Sequence, residues 1–141
     1  MYREYRALVK GYPGKKGTWK AFLRENKQLF VHVCPPSQGK EAITHYETLE
    51  KRGDHSLLKL KLQTGRKHQI RVHCKDAGHP IAGDKRYGSP SCNPINRICL
   101  HASLLEFLHP LTGKKMSFSA PIPSRFSQLG ISSLEKKNKV L

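Results

Sequence analysis

Thr64-Gly65-Arg66-Lys67-His68-Gln69-Ile70-Arg71-Val72-His73 is the run at which the chain changes its period. Before it, Leu58, Leu60 and Leu62 alternate with Lys59, Lys61 and Gln63, the period of a half-buried strand. After Thr64-Gly65, Ile70, Cys74 and Ala77 fall on one helical stripe, which predicts a helix over about residues 67–77. Gly78 is placed to end it, and Pro80 cannot continue it. The first turn then carries Arg66 and Lys67, against the helix dipole, at a cost of a few tenths of a kcal/mol each. Such a violation is expected where an anion sits opposite. Arg71 shares a polar face with His68 and Lys75. These residues are either a solvated basic face or an anion site, for phosphate, a carboxylate or both.

Working outward, most of the chain reads as strand. Tyr5, Ala7 and Val9 alternate with Glu4, Arg6, Leu8 and Lys10 over residues 1–10. Residues 18–33 alternate weakly and end in a strand over 29–33, after a loop that includes Lys15-Lys16-Gly17. Glu41 to Leu49 is rich in β-branched residues and Tyr. Ile98 to Leu108 and Met116, Phe118 and Ala120 form two strands joined at His109-Pro110-Leu111-Thr112-Gly113. Residues 81–97 read as loop. Pro121-Ile122-Pro123 is expected to end order, leaving 127–141 as a mobile basic tail. The fold class is α+β, a mixed, mostly antiparallel β-sheet with flanking helices. One domain is expected over residues 1–126.

Charge narrows the function. The 141 residues carry 26 Lys and Arg against 10 Asp and Glu, a net charge of +16 that attracts polyanions. No segment has the form of a membrane-surface helix, so RNA or DNA is the leading partner. No stretch approaches the roughly 20 apolar residues of a membrane span, and the N-terminus shows no secretory h-region. The four cysteines, Cys34, Cys74, Cys92 and Cys99, form no C-x-x-C pair and read as reduced thiols. A cytoplasmic chain without metal is the expectation.

The same run, with Gly78-His79-Pro80-Ile81-Ala82-Gly83-Asp84 and Tyr87-Gly88, closely resembles the RluA-type RNA pseudouridine synthases. Tyr5-Arg6-Ala7-Leu8-Val9-Lys10-Gly11 is similar to that family's tyrosine-bearing strand. Glu41-Ala42-Ile43-Thr44-His45-Tyr46, Leu100-His101-Ala102 and His109-Pro110 also fit, so the likeness covers about residues 2–126. It implies isomerisation of uridine in RNA (rRNA or tRNA) without cofactor or metal. It also implies that Tyr5 packs against the target base and assists proton removal, and that Arg71 pairs with the catalytic aspartate. Arg66 is the second candidate for that pairing, or a phosphate contact. Lys67 is a further substrate contact, His68 and Gln69 orient the loop, and Leu62 and Ile70 form the apolar wall of the uracil pocket. The family's nucleophile lies in a His-Arg-Leu-Asp motif upstream of the tyrosine, and this sequence has no such motif. Its aspartates are Asp54, Asp76 and Asp84, and Gly83-Asp84-Lys85 suits a loop-stabilising role. The expectation is an incomplete catalytic domain, inactive alone, with an exposed sheet edge open to self-association. The alternatives are an inactive RNA-binding module and a small ribosome-associated basic protein.

Overall fold

The structure, a computed structural model, describes residues 1–88 and 91–129. Seven strands form one sheet: β1 (Tyr2–Lys10), β2 (Lys16–Glu25), β3 (Val31–Cys34), β4 (Lys40–Arg52), β5 (His55–Leu62), β6 (Leu100–Leu108) and β7 (Lys115–Ser119). Their spatial order is β3-β2-β4-β5-β1-β6-β7, and every pairing of neighbouring strands is antiparallel. The mixed sheet expected from sequence is therefore wholly antiparallel among the described residues. Its flanking helices reduce to one α-helix, α1 (Gln69–Asp76), and two short 3-10 turns.

β1 lies inside the sheet, between β5 and β6. Ala7, Leu8 and Val9 are all buried, although Leu8 belongs to the polar half of the alternating pattern. The reason is chain beyond the N-terminal end of β6 that continues along β1: Ala82 N–H donates to the Leu8 carbonyl at 2.9 Å and Leu8 N–H to the Cys99 carbonyl at 3.0 Å. Glu4 and Arg6 are buried on the same strand and pair with each other at 2.5 Å.

The ladders divide the side chains between two faces. Trp19 stands opposite Thr44, Tyr46 opposite Leu60, and Leu60 opposite Tyr5, so these share a face with Leu58, Leu62 and Ala7. That face carries α1, since Gln69 and His73 both bond to Thr44. The other face presents Thr18, His45, Glu47, Lys59 and Lys61. The main core joins Val9, Leu57, Leu58 and Leu60 to Ile70, Cys74, Ile81 and Phe126. Phe126 corrects the expectation that order ends at Pro123: Ile122 and Phe126 are buried, and residues 124–129 form a 3-10 turn. That turn also takes 127–129 out of the expected tail, whose remainder lies outside the described residues.

Other boundaries shift for local reasons. β2 begins at Lys16, because residues 16–23 pair continuously with β4. Leu29 precedes β3 with φ 61°, a turn conformation. α1 ends as expected: Gly78, at φ 83°, donates to the Lys75 carbonyl, and His79 donates to the Cys74 carbonyl.

Candidate active site

α1 begins at Gln69, later than its apolar stripe indicates, with His68 in the left-handed region as the N-cap. Arg66 and Lys67 therefore precede the helix and do not oppose its dipole in the first turn. The argument for an anion at that position falls with the boundary.

What holds this junction together is Gln69, 2% exposed. Its Nε2 donates to the Ile43 carbonyl and to Thr44 Oγ1, each at 2.9 Å. Its Oε1 accepts from Thr64 Oγ1 at 2.7 Å and from Arg66 N–H at 3.0 Å. All four of its hydrogen-bonding positions are filled, which fixes the turn against β4. Thr44 Oγ1, already accepting from Gln69, shares a second hydrogen bond with His73 Nδ1 at 2.8 Å, its direction set by the His73 tautomer. Burial pushes the His73 imidazole below its usual range and so favours its neutral form.

His68 Nδ1 lies 2.8 Å from the Tyr87 hydroxyl, which also accepts from Val31 N–H at 3.0 Å. The hydroxyl donates to Nδ1 or accepts from it according to the His68 tautomer. Burial, followed by the charges of Arg71, Lys67 and Arg86, lowers the pKa of His68. Arg71 makes a two-pronged pair with Asp84, Nε to Oδ2 at 2.9 Å and Nη2 to Oδ1 at 2.7 Å. Its guanidinium also lies 5.0 Å from the Tyr87 ring centre. Asp84, 1% exposed, accepts the backbone N–H of Arg86 and Tyr87 as well. Burial raises the Asp84 pKa, but the bond to Arg71 and the Tyr87 N–H outweigh it and hold the carboxyl below its ordinary range. The same bond to Asp84 raises Arg71.

Arg66 and Lys67 face a separate cavity of about 460 Å³ with Arg24, Lys40 and Gln38. Arg66 Nε is held by the Glu41 carbonyl at 2.9 Å, and Lys67 pairs with Glu25.

Tyr5 occupies a different concavity, about 400 Å³, lined by Arg3, Tyr5, Ala102, Leu104, Leu105 and Phe118. Its ring is half-buried. Arg3 connects this concavity to the motif. The Arg3 guanidinium lies against Gly65, where any β-carbon would collide with it. Arg3 Nε is buried without a hydrogen-bond partner. Sequence reasoning did not single out Arg3, although its place two residues before Tyr5 puts both on one face of β1. Leu62 is half-buried against the core. Ile70, expected in the wall of a uracil pocket, is 4% exposed and packs inside the main core.

Residues 1–76 match the family model described as RNA pseudouridylate synthase. The chain belongs to that family, in its RluA-type branch. Among curated relatives, an uncharacterized RNA pseudouridine synthase of Chloroflexus aurantiacus is 40% identical over 125 residues, 88% of this chain and 40% of that protein. The uncharacterized RNA pseudouridine synthase YlyB of Bacillus subtilis is 40% identical over 90% of this chain and 42% of its own length. Ribosomal large subunit pseudouridine synthase D of Pasteurella multocida is 36% identical over 90% of this chain and 43% of its own length. The chain thus spans about two fifths of the length of these pseudouridine synthases. The solved structure of human RNA Pseudouridylate Synthase Domain Containing 1 superposes with TM-score 0.73 at 30% identity, covering 96% of this chain and 58% of that one. Human RNA Pseudouridylate Synthase Domain Containing 4, at 19% identity and TM-score 0.70, shares the fold.

Proposed function

We propose that the chain takes part in RNA pseudouridylation as a partial catalytic domain, one that supplies the tyrosine strand and the basic motif. The nucleophilic carboxylate would come from another polypeptide segment. The observation that carries this reading is the Tyr5 concavity. It offers a ring face and a phenol in an apolar setting, which suits a splayed-out base. No aspartate faces Tyr5 there: Asp84 is engaged by Arg71, Asp54 by His55, and Asp76 ends α1. Glu4 adjoins Tyr5 in sequence but lies on the opposite face, paired with Arg6.

In this reading Arg71 stays on Asp84 through Nε and Nη2 at the α1 end and positions the motif loop there, apart from the Tyr5 hollow. Arg66 and Lys67, with Arg24 and Lys40, form a basic lining suited to phosphate. His68 and Gln69 set the loop. The substrate would be rRNA or tRNA, met in the cytoplasm, with no cofactor. A second reading, an RNA-binding module without catalysis, is favoured by the same lack of an aspartate beside Tyr5. The exposed Phe118 on edge strand β7 supports self-association.

The test uses the purified chain with transcribed RNA. Binding should weaken steeply with salt, with a log–log slope of about −0.7 per neutralised phosphate for single strands. No pseudouridine should form until a polypeptide carrying the upstream part of a relative's catalytic domain is added. Binding that ignores salt contradicts the RNA assignment. Turnover by the chain alone that disappears in Asp84→Asn contradicts the missing carboxylate. Failure of the upstream part to restore turnover, with binding intact, favours the binding-module reading.

A further inference from the structure

A second cluster of reactive groups lies at the other end of β1, where the Gly53-Asp54 turn joins β4 to β5. His55 Nδ1 is 2.8 Å from Asp54 Oδ1, and His55 Nε2 is 3.3 Å from Cys92 Sγ. The carboxylate holds the proton on Nδ1, so Nε2 presents its lone pair to the thiol. This is the order nucleophile, base, orienting carboxylate. His55 and Cys92 open on a cavity of about 440 Å³, whose lining includes Leu8, Arg52, Asn93 and Pro94. Leu8 is a buried, apolar part of that lining, and Arg52 adds a positive charge.

The other three cysteines lack this arrangement. Cys74 and Cys99 are buried, and burial pushes their thiols up, Cys99 to about 11. The Cys34 thiol faces the Phe22 carbonyl at 3.5 Å, which is no base.

We propose that Cys92 is a base-assisted nucleophilic thiol and a site of reversible modification by small anionic disulfides. In the step, His55 Nε2 takes the thiol proton and Cys92 Sγ attacks one sulfur of the disulfide. A new S–S bond forms to Cys92 as the old S–S bond breaks. The electron pair leaves with the second sulfur as a thiolate, which then takes the proton from His55. One disulfide is consumed and one is formed, so no other oxidant enters. Arg52 selects for negative charge on the reagent. The proposal stands apart from the RNA reading, since none of these groups lines the Tyr5 concavity.

The experiment treats the full-length chain at pH 7 with 5,5′-dithiobis(2-nitrobenzoate), an anionic disulfide, and follows the released thiolate. Mass spectrometry assigns the labelled cysteine. Cys92 should react about tenfold or more faster than Cys34, and Cys92→Ser should remove the fast phase. His55→Gln should slow Cys92 by about tenfold or more, in line with removal of a general base. Asp54→Asn should slow it by less, and this exposed position keeps the test sound if His55→Gln disturbs folding. Arg52→Gln should slow the anionic reagent relative to neutral 4,4′-dithiodipyridine. Faster labelling of Cys34 overturns the proposal, as does an Asp54→Asn rate equal to that of the parent chain. An unchanged anionic-to-neutral ratio in Arg52→Gln overturns the assignment of an anionic reagent.

Discussion

The two ends of the helix-bearing sheet face treat their polar groups in opposite ways. At the α1 end, Gln69 and His73 bond to Thr44 of β4, His68 to Tyr87, and Arg71 to Asp84. At the β1-β6-β7 end, Tyr5 and Arg3 border an apolar hollow, the Tyr5 hydroxyl makes no hydrogen bond among the described residues, and Phe118 is 53% exposed. The motif that stands out in the sequence is thus largely a scaffold. The surface left open for a ligand belongs to its neighbours. A buried hydrogen-bonded network is costly to break, whereas an open hollow tolerates change with little loss of stability.

That contrast is sharpest at Asp84. Asp84→Asn should lower unfolding stability by about 3 kcal/mol, because it strips the charge from the partner of a partly buried Arg71. Urea denaturation measures this. The pH dependence follows from the depressed folded-state pKa of Asp84. Its contribution is present above the unfolded carboxyl value of about 3.9 and is lost as pH falls through the lower folded value. The parent chain should therefore lose stability below about pH 4 more steeply than Asp84→Asn. Equal slopes would mean that Asp84 does not titrate differently in the folded state.

Gln69→Leu should cost about 2 kcal/mol, since it leaves Thr64, Arg66 N–H and the Ile43 carbonyl short of partners. A loss no larger than that of an exposed-site substitution would contradict the hub role. Tyr5→Phe probes the open end. It should change stability by less than about 0.5 kcal/mol, because the hydroxyl holds nothing in place. A loss above about 1 kcal/mol would show that the hollow is as tightly built as the α1 end. The smallest effect is expected at Lys59, on the far face and 3.4 Å from Glu47. Lys59→Ala should leave stability within about 0.5 kcal/mol and reduce RNA affinity slightly. A large loss of RNA affinity there would move the RNA footprint to the far face.

The strands were legible in the sequence where one face is wet. Leu58, Leu60 and Leu62 alternate because Lys59 and Lys61 face out. β1 was harder to read on its polar side, because the 78–99 loop buries Leu8 and an internal pair buries Glu4 and Arg6. Nothing local marks either event. Ile122 and Phe126 were missed because flanking prolines resemble an ending, while their burial depends on long-range packing. At the site, the loop role of Asp84 was readable from Gly83-Asp84-Lys85, and its two backbone N–H bonds agree with it. The bond from Asp84 to Arg71 spans 13 positions and required the fold. Arg3 left only its period-two relation to Tyr5.

The central claim is that a base of bound RNA reaches the Tyr5 hollow. The most direct measurement is ultraviolet crosslinking of the chain to single-stranded RNA containing 4-thiouridine, with the adduct mapped by mass spectrometry. Base stacking on an exposed aromatic places the photoreactive base against that ring. The account predicts adducts on Tyr5 or on Phe118 across the same hollow, lost when excess unmodified RNA competes. Competed adducts confined to Tyr12, Trp19 or Tyr46, with none at the hollow, would contradict it.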